Sequence, residues 1–250
     1  MKELHLFYAP ELPHTLSLPQ EEAQHALRVL RMKEGDELIA TDGRGRYYNC
    51  TIALAASKRC VLNVQQETMA APYWRGNIHL AVAPTKSMER TEWLAEKATE
   101  IGFDELSLID CKNSERHVVK TERLERIVIA ATKQSHKAWK PMIEEMTPFS
   151  RFISCPHEGQ KFIAHCYDMN LSGNGTGESI CQPTPFLGDI VNQEGDALIL
   201  IGPEGDFTED EVRAALAAGF QPVSLGKSRL RTETAALFAV QMLQMAKRIH

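Results

Sequence analysis

The chain predicts an α/β protein: a parallel sheet flanked by helices, preceded by a small β-rich unit. Three observations carry that reading. From residue 77 onward, apolar strand patterns alternate with helical ones, the order that builds a parallel sheet covered on both faces. Before residue 70, short strands separated by turn residues follow one another at the spacing of a small barrel. Near the C-terminus, Ala197-Leu-Ile-Leu-Ile and Val223-Ser-Leu each run into a glycine-bearing loop and then a helix. Ligands of α/β sheets sit beyond the carboxyl ends of strands, where glycine lets backbone approach closely.

In chain order, Leu4-His-Leu-Phe-Tyr is the first strand. Residues 20–30, started after Pro19, form a short helix with Ala23, Ala26, Leu27 and Leu30 on one face. Lys33-Glu-Gly-Asp is a turn. Strands follow at Glu37-Leu-Ile-Ala-Thr, Tyr47-Tyr-Asn-Cys-Thr-Ile-Ala and Arg59-Cys-Val-Leu-Asn-Val, with Asp42-Gly-Arg-Gly turning between the first two. The division expected is a β-barrel over 1–70, a linker at 71–76 and an α/β domain over 77–250. In the second domain, His79-Leu-Ala-Val-Ala is a strand. Residues 89–101 are a helix with Trp93, Leu94, Ala98 and Ile101 inward, closed by Gly102. Glu105-Leu-Ser-Leu-Ile is a strand, 121–139 a long helix ending before Pro141, and Lys161-Phe-Ile-Ala-His-Cys a further strand. Gly173-Asn-Gly-Thr-Gly177 belongs to a flexible surface loop. The last helix, from Thr232 to Arg248, is rich in Ala, Leu and Met, so it must bury itself against the sheet or a partner subunit.

Composition excludes several classes. No apolar run approaches the ~20 residues of a membrane helix, and the first residues lack signal-peptide architecture. The 6 cysteines form no Cys-x-x-Cys pair, which reads as reduced thiols in a cytoplasmic protein. The 9 histidines include no His-Glu-x-x-His and no Cys/His cluster, so no metal site is expected. Neither a P-loop nor a Gly-x-Ser-x-Gly elbow occurs. A net charge of −5 argues against a globally basic nucleic-acid binder, yet residues 112–140 alone carry a net charge of +5. Such a stripe is either a polyanion-binding surface or a solvated helix face.

The two glycine loops are read as two walls of one pocket. Leu200, Ile201, Gly202, Pro203, Glu204 and Gly205 form the first wall; Leu225, Gly226, Ser228 and Leu230 belong to the second. A helix start normally invites anions. Here it is crowded by Glu204, Asp206, Glu209, Asp210 and Glu211, and Thr208 with Glu211 fits a capping box. Phosphate would be repelled. A cationic ligand with a sugar and a base fits better, and S-adenosylmethionine has that profile. The plainer alternative is a tight turn followed by a capped helix. Arg229 and Arg231 either meet RNA phosphate or a pyrimidine carbonyl, or form salt bridges to Glu204 or Glu233.

The segments Leu200-Ile-Gly-Pro-Glu-Gly and Leu225-Gly-Lys-Ser-Arg-Leu-Arg-Thr-Glu-Thr-Ala closely resemble the ribosomal RNA small subunit methyltransferase E family, of the SPOUT or trefoil-knotted class. His25-Ala-Leu-Arg-Val-Leu-Arg-Met and Asp42-Gly resemble that family's N-terminal PUA-like RNA-binding barrel. Lys97-Ala-Thr-Glu-Ile-Gly, Ser114-Glu-Arg and Gln134-Ser match its central segments. The chain departs from the pattern at Asp206, where the family has glycine, at Arg229, and around His5-Leu6. The resemblance implies S-adenosylmethionine-dependent methylation of N3 of a uridine in small-subunit ribosomal RNA, free or within the subunit. It also implies a threaded C-terminal segment, an exception to the usual rule against knots, and a homodimer. On this footing Arg231 is the residue expected to stabilise charge on the base, with Glu233 a candidate base. Arg28, Arg31, Lys33, Arg116 and Lys120 are expected to touch RNA. Two rivals stay open: a 2′-O-ribose methyltransferase of the same class, and a non-catalytic RNA-binding or ribosome-assembly protein.

Overall fold

The computed structural model describes residues 4–56, 59–167 and 184–249. The glycine-rich stretch at 173–177 and Cys181 lie outside the described residues. The chain divides into two compact units, one of residues up to Tyr73 with Arg126–Lys140, the other of Trp74–Glu125 with the residues from Pro141 onward.

In the first unit, β1 (Leu6–Tyr8), β2 (Glu37–Thr41), β3 (Arg46–Ala56) and β4 (Arg59–Met69) form one sheet in that order. β1 runs parallel to β2, and the other pairs are antiparallel. Alternation sets the inner face: Tyr48, Cys50 and Ile52 of β3 are buried against Phe7, Leu12, Leu38 and Leu62. After α1 (Leu12–Thr15), the chain crosses to the outer edge of β4. There Leu18 N donates to Cys60 O at 3.0 Å, and Leu62 N donates to Leu16 O at 2.8 Å. This brings the two sheet edges toward closure, as a small barrel requires. The turn at 42–45 is built by Asp42, whose Oδ1 accepts from Arg44 N at 2.7 Å and Arg46 N at 3.1 Å. Gly45, at φ +98°, lies under the Trp139 indole, where a Cβ would be 2.3 Å from the ring.

The expected helix at 20–30 is two pieces. α2 (Gln20–Gln24) continues as a π-helical turn over His25–Val29. Leu30 N donates to His25 O, five residues back, and Arg31 follows in the left-handed region at φ +55°. Ala23 and Ala26 are buried as expected, with Leu27 and Leu30 packed partly beside them.

In the second unit, β5 (Ile78–Val82), β6 (Glu105–Asp110), β7 (Met142–Pro148), β8 (Gln160–Ala164), β9 (Ala197–Ile201) and β10 (Gln221–Val223) pair in the order β10-β8-β9-β5-β6-β7. All five pairings are parallel. Every residue of β9 is buried, as a central parallel strand demands. One face carries a core of Ala81, Ile109, Phe149, Ile163, Leu200 and Phe207, contributed partly by α5 (Phe149–Ser154). α3 (Met88–Ile101), α6 (Leu187–Ile190) and α7 (Glu209–Ala217) complete the connections, and α8 (Thr232–Lys247) packs on α3, α6, β5 and β9. α8 therefore returns from the sheet edge at β10 toward its centre, which fits the threading that the resemblance implies.

Two sequence expectations are corrected, and β7, with charge in place of an apolar run, is a strand that the sequence pattern does not announce. Trp93 is not inward on α3; it is exposed, while Leu94, Ala95 and Ala98 make the buried face. The helix expected over 121–139 is α4 (Thr121–Gln134). His136 ends it in the left-handed region at φ +52°, and Lys137 N donates to Thr132 O at 3.0 Å, a cap more often supplied by glycine.

Candidate active site

The carboxyl ends of β8, β9 and β10 lie side by side. Ala164 is in register with Ile201 on one side and Val223 on the other. Above this row opens a cavity of about 500 Å³, within the roughly 300–1,000 Å³ of small-molecule sites. Its floor is apolar, with Ala164, Ile201, Val223 and Ala235; Gly202, Leu225, Gly226, Ser228 and Leu230 line its walls. Thus Ile201, Gly202, Leu225, Gly226, Ser228 and Leu230 are brought together as the sequence suggested.

Leu200, Pro203, Glu204 and Gly205 do not line the cavity. Leu200 alternates to the opposite face and is part of the core. Pro203 O accepts from Asp206 N at 2.9 Å, so the tight turn foreseen as the plainer alternative is also present. Glu204 reaches the loop after β5, where its Oε1 accepts from Lys86 N at 2.9 Å. Gly205 faces Asn113, at 3.0 Å from where its Cβ would stand.

Three acids of this helix start, Glu204, Asp206 and Glu211, accept from backbone donors, and Glu209 pairs with Arg213. Glu211 Oε2 accepts from Thr208 N at 2.8 Å, and Thr208 Oγ1 accepts from Glu211 N at 3.3 Å, which completes the capping box. Glu211 Oε1 accepts from Lys112 N at 2.8 Å. Asp206 sits at φ +62°; its Oδ1 accepts from Phe207 N at 2.8 Å and its Oδ2 from Cys166 N at 2.9 Å. It therefore ties the loop after β9 to the exit of β8. Thr232 Oγ1 donates to Gly202 O at 3.1 Å in a buried position, pinning the first turn of α8 to the same loop. Gly226 stands at φ +111° with open space around it, so backbone conformation alone demands glycine there.

Sequence reasoning missed the wall formed by His165, Cys166 and Tyr167. Burial holds the His165 imidazole below its usual range, partly offset by Asp206. Burial, then the Asp206 charge, pushes the Cys166 thiol up. Lys227 and Arg229 line the cavity as exposed cations.

Arg231 is the exposed N-cap residue of α8, between the lining residues Leu230 and Thr232. Glu233 lies elsewhere. It is buried, and its Oε1 is 3.6 Å from Arg90 Nη1, so the suggested salt bridge to Arg229 or Arg231 is replaced by one to α3. Arg116 donates through Nη2 to Lys86 O at 2.7 Å, and Lys120 is exposed. In the other unit, Arg28 and Lys33 line an open groove with Leu27 and Met32, and Arg31 is exposed beside the π turn.

A cavity of glycine loops at the carboxyl edge of a parallel sheet, apolar below and lined by Lys227 and Arg229, is the small-molecule site of an α/β protein. More particularly, the chain belongs to the RNA methyltransferase family: the RNA methyltransferase domain matches residues 72–244, and the RNA methyltransferase PUA domain matches residues 18–65. It is similar to the solved probable rRNA-methyltransferase of Porphyromonas gingivalis, at 45% identity and TM-score 0.87 over 98% of both chains. It is similar also to ribosomal RNA small subunit methyltransferase E of Neisseria gonorrhoeae, solved bound to S-adenosyl methionine, at 27% identity and TM-score 0.82 over 97% of this chain and 98% of that one. The protein of that name in Synechocystis is 29% identical over 252 residues, covering 95% of this chain and 76% of the relative.

Proposed function

We propose that this chain methylates N3 of a uridine in small-subunit ribosomal RNA, with S-adenosylmethionine bound between the two glycine loops. The observation that carries the reading is the cavity itself. Its apolar floor of Ala164, Ile201 and Val223 suits a base, Gly226 leaves open space for close approach, and the lining sets one carboxylate, Asp206, beside two cations, Lys227 and Arg229, which suits a ligand carrying both charges. The relatives named ribosomal RNA small subunit methyltransferase E support the substrate class. When bound, S-adenosylmethionine supplies an electrophilic methyl group.

The chain's own residues do the rest. Uridine N3 bears a proton and is a poor nucleophile until it leaves. Arg231, exposed at the cavity edge, presents a guanidinium to the uracil carbonyls and stabilises the negative charge that develops. Positioning N3 in line with the methyl contributes several kcal/mol. Glu233, held by Arg90 and outside the lining, does not serve as the base; the N3 proton passes to solvent, and N3 then takes the methyl, leaving the sulfonium as the neutral thioether. A paired uridine has N3 engaged, so the target is unpaired or extruded.

Arg28, Arg31, Lys33, Arg116 and Lys120 contact the RNA backbone in this proposal, and the π turn with left-handed Arg31 is the kind of irregular backbone that clusters at functional sites. RNA affinity should then fall steeply with salt; an affinity indifferent to salt would remove these contacts from the proposal. α8 turns Phe238 and Met245 outward, 42% and 58% exposed, and we assign this stripe to a homodimer contact. No helix among the described residues is long and apolar enough to cross a membrane, and the proposed substrate places the protein in the cytoplasm. Nuclease digestion and mass spectrometry of rRNA treated with the protein test the reading: methyl on the base supports it, and methyl on ribose replaces it with the 2′-O alternative.

A further inference from the structure

His165 follows the last residue of β8 directly and lies in the cavity wall. Its Nδ1 accepts from Tyr167 N at 3.2 Å. A neutral imidazole with one nitrogen accepting carries its proton on the other, so Nε2 is a donor. That Nε2 is shut off from water and has no hydrogen-bond partner among the described residues. Buried donors are rarely left unpaired, and one beside an active site calls for an explanation. A general-base role is not one, because the Nδ1 lone pair is taken and Nε2 holds the proton.

We infer that His165 is a cofactor-binding residue: its Nε2–H donates to an acceptor on the nucleoside half of bound S-adenosylmethionine, a ribose oxygen or an adenine ring nitrogen. The inference rests on the proposed cofactor. His165 is next in the chain to Ala164, so it sits at the level of the apolar floor with Ile201 and Val223. The exposed cations Lys227 and Arg229 stand at the rim, where the charged amino-acid end of the ligand belongs. The nucleoside is therefore the part that comes within reach of His165. Because Nε2 is covered by protein, the proposed contact includes a small shift of the 165–167 wall on binding, with the Cys166 N to Asp206 Oδ2 bond as the tie about which it adjusts.

Calorimetry with S-adenosylmethionine and with adenosine, on wild type, His165→Ala and His165→Gln, tests this. Loss of one neutral hydrogen bond should weaken both ligands about tenfold in His165→Ala. His165→Gln, which keeps an N–H at that reach, should stay within about threefold of wild type. In wild-type protein, ¹⁵N spectra should show the Nε2–H tautomer, and its signal should move when adenosine is added. The inference is overturned if His165→Ala binds both ligands as wild type does, or loses S-adenosylmethionine alone. It is overturned equally if the Nε2 signal is unmoved at saturation, a result that stands even should the variants fail to fold. Wild type binding neither ligand would instead remove the cofactor reading beneath it.

Discussion

Replacing Asp206 by glycine sets two effects against each other. Asp206 holds a left-handed backbone, φ +62°, and reverting to glycine there relieves about 1 kcal/mol. The same change deletes two carboxylate hydrogen bonds, to Phe207 N at 2.8 Å and Cys166 N at 2.9 Å. Both are partly exposed, so water recovers some of each, and a loss of about 1 kcal/mol apiece is appropriate. The net is about 1 kcal/mol of destabilisation, a fall in Tm of roughly 2–4 °C for a unit of this size. The larger consequence is functional, because the 165–167 wall loses its tie to the glycine loop. Thermal melts and calorimetry with S-adenosylmethionine on Asp206→Gly and Asp206→Asn read both. Asp206→Asn, which keeps one acceptor, should lie between wild type and glycine. A glycine variant as stable as wild type with unaltered cofactor affinity would refute the bridging role.

Three further outcomes are expected. Gly226→Ala meets no clash, yet φ +111° strains any L-residue, so it should cost about 1–2 kcal/mol and weaken cofactor binding; an unchanged dissociation constant would count against the loop as a wall. Arg231→Ala should lower kcat about a hundredfold with the melting temperature intact, since its side chain is exposed; unchanged turnover would reject its role. Burial holds the imidazoles of His79 and His165 below their ordinary range, against Glu105 and Glu144 for His79 and against Asp206 for His165. Below about pH 6.5 the unfolded chain takes up protons that the folded one refuses. Stability should therefore be full above that pH and decline as pH falls toward the folded values; urea melts of wild type and His79→Gln should show the decline, shallower in the variant.

What the sequence made legible was local. The capping box at Thr208 and Glu211, the turn built by Asp42, and the glycine walls at 202 and 226 are short-range patterns whose chemistry is written in adjacent residues. What stayed hidden depended on distant pairing. β7 reads Met-Ile-Glu-Glu-Met-Thr-Pro; as the edge strand beside β6 it tolerates charge that a central strand would not, so it lacks the apolar run by which its neighbours were recognised. α4 ends at a left-handed histidine rather than glycine, so Pro141 was the only visible stop. The His165–Tyr167 wall enters the site only because β8 pairs in parallel with β9 and β10, a topology that no local pattern in Lys161-Phe-Ile-Ala-His-Cys announces. Leu200, read as lining, belongs to the core because strand alternation turns it away from Ile201.

The most direct test is to incubate the protein with labelled S-adenosylmethionine and small ribosomal subunits that lack the modification, then digest the rRNA and identify the labelled nucleoside. The expected product is 3-methyluridine at one position. Label on a ribose, on another base, or nowhere would contradict the proposed reaction.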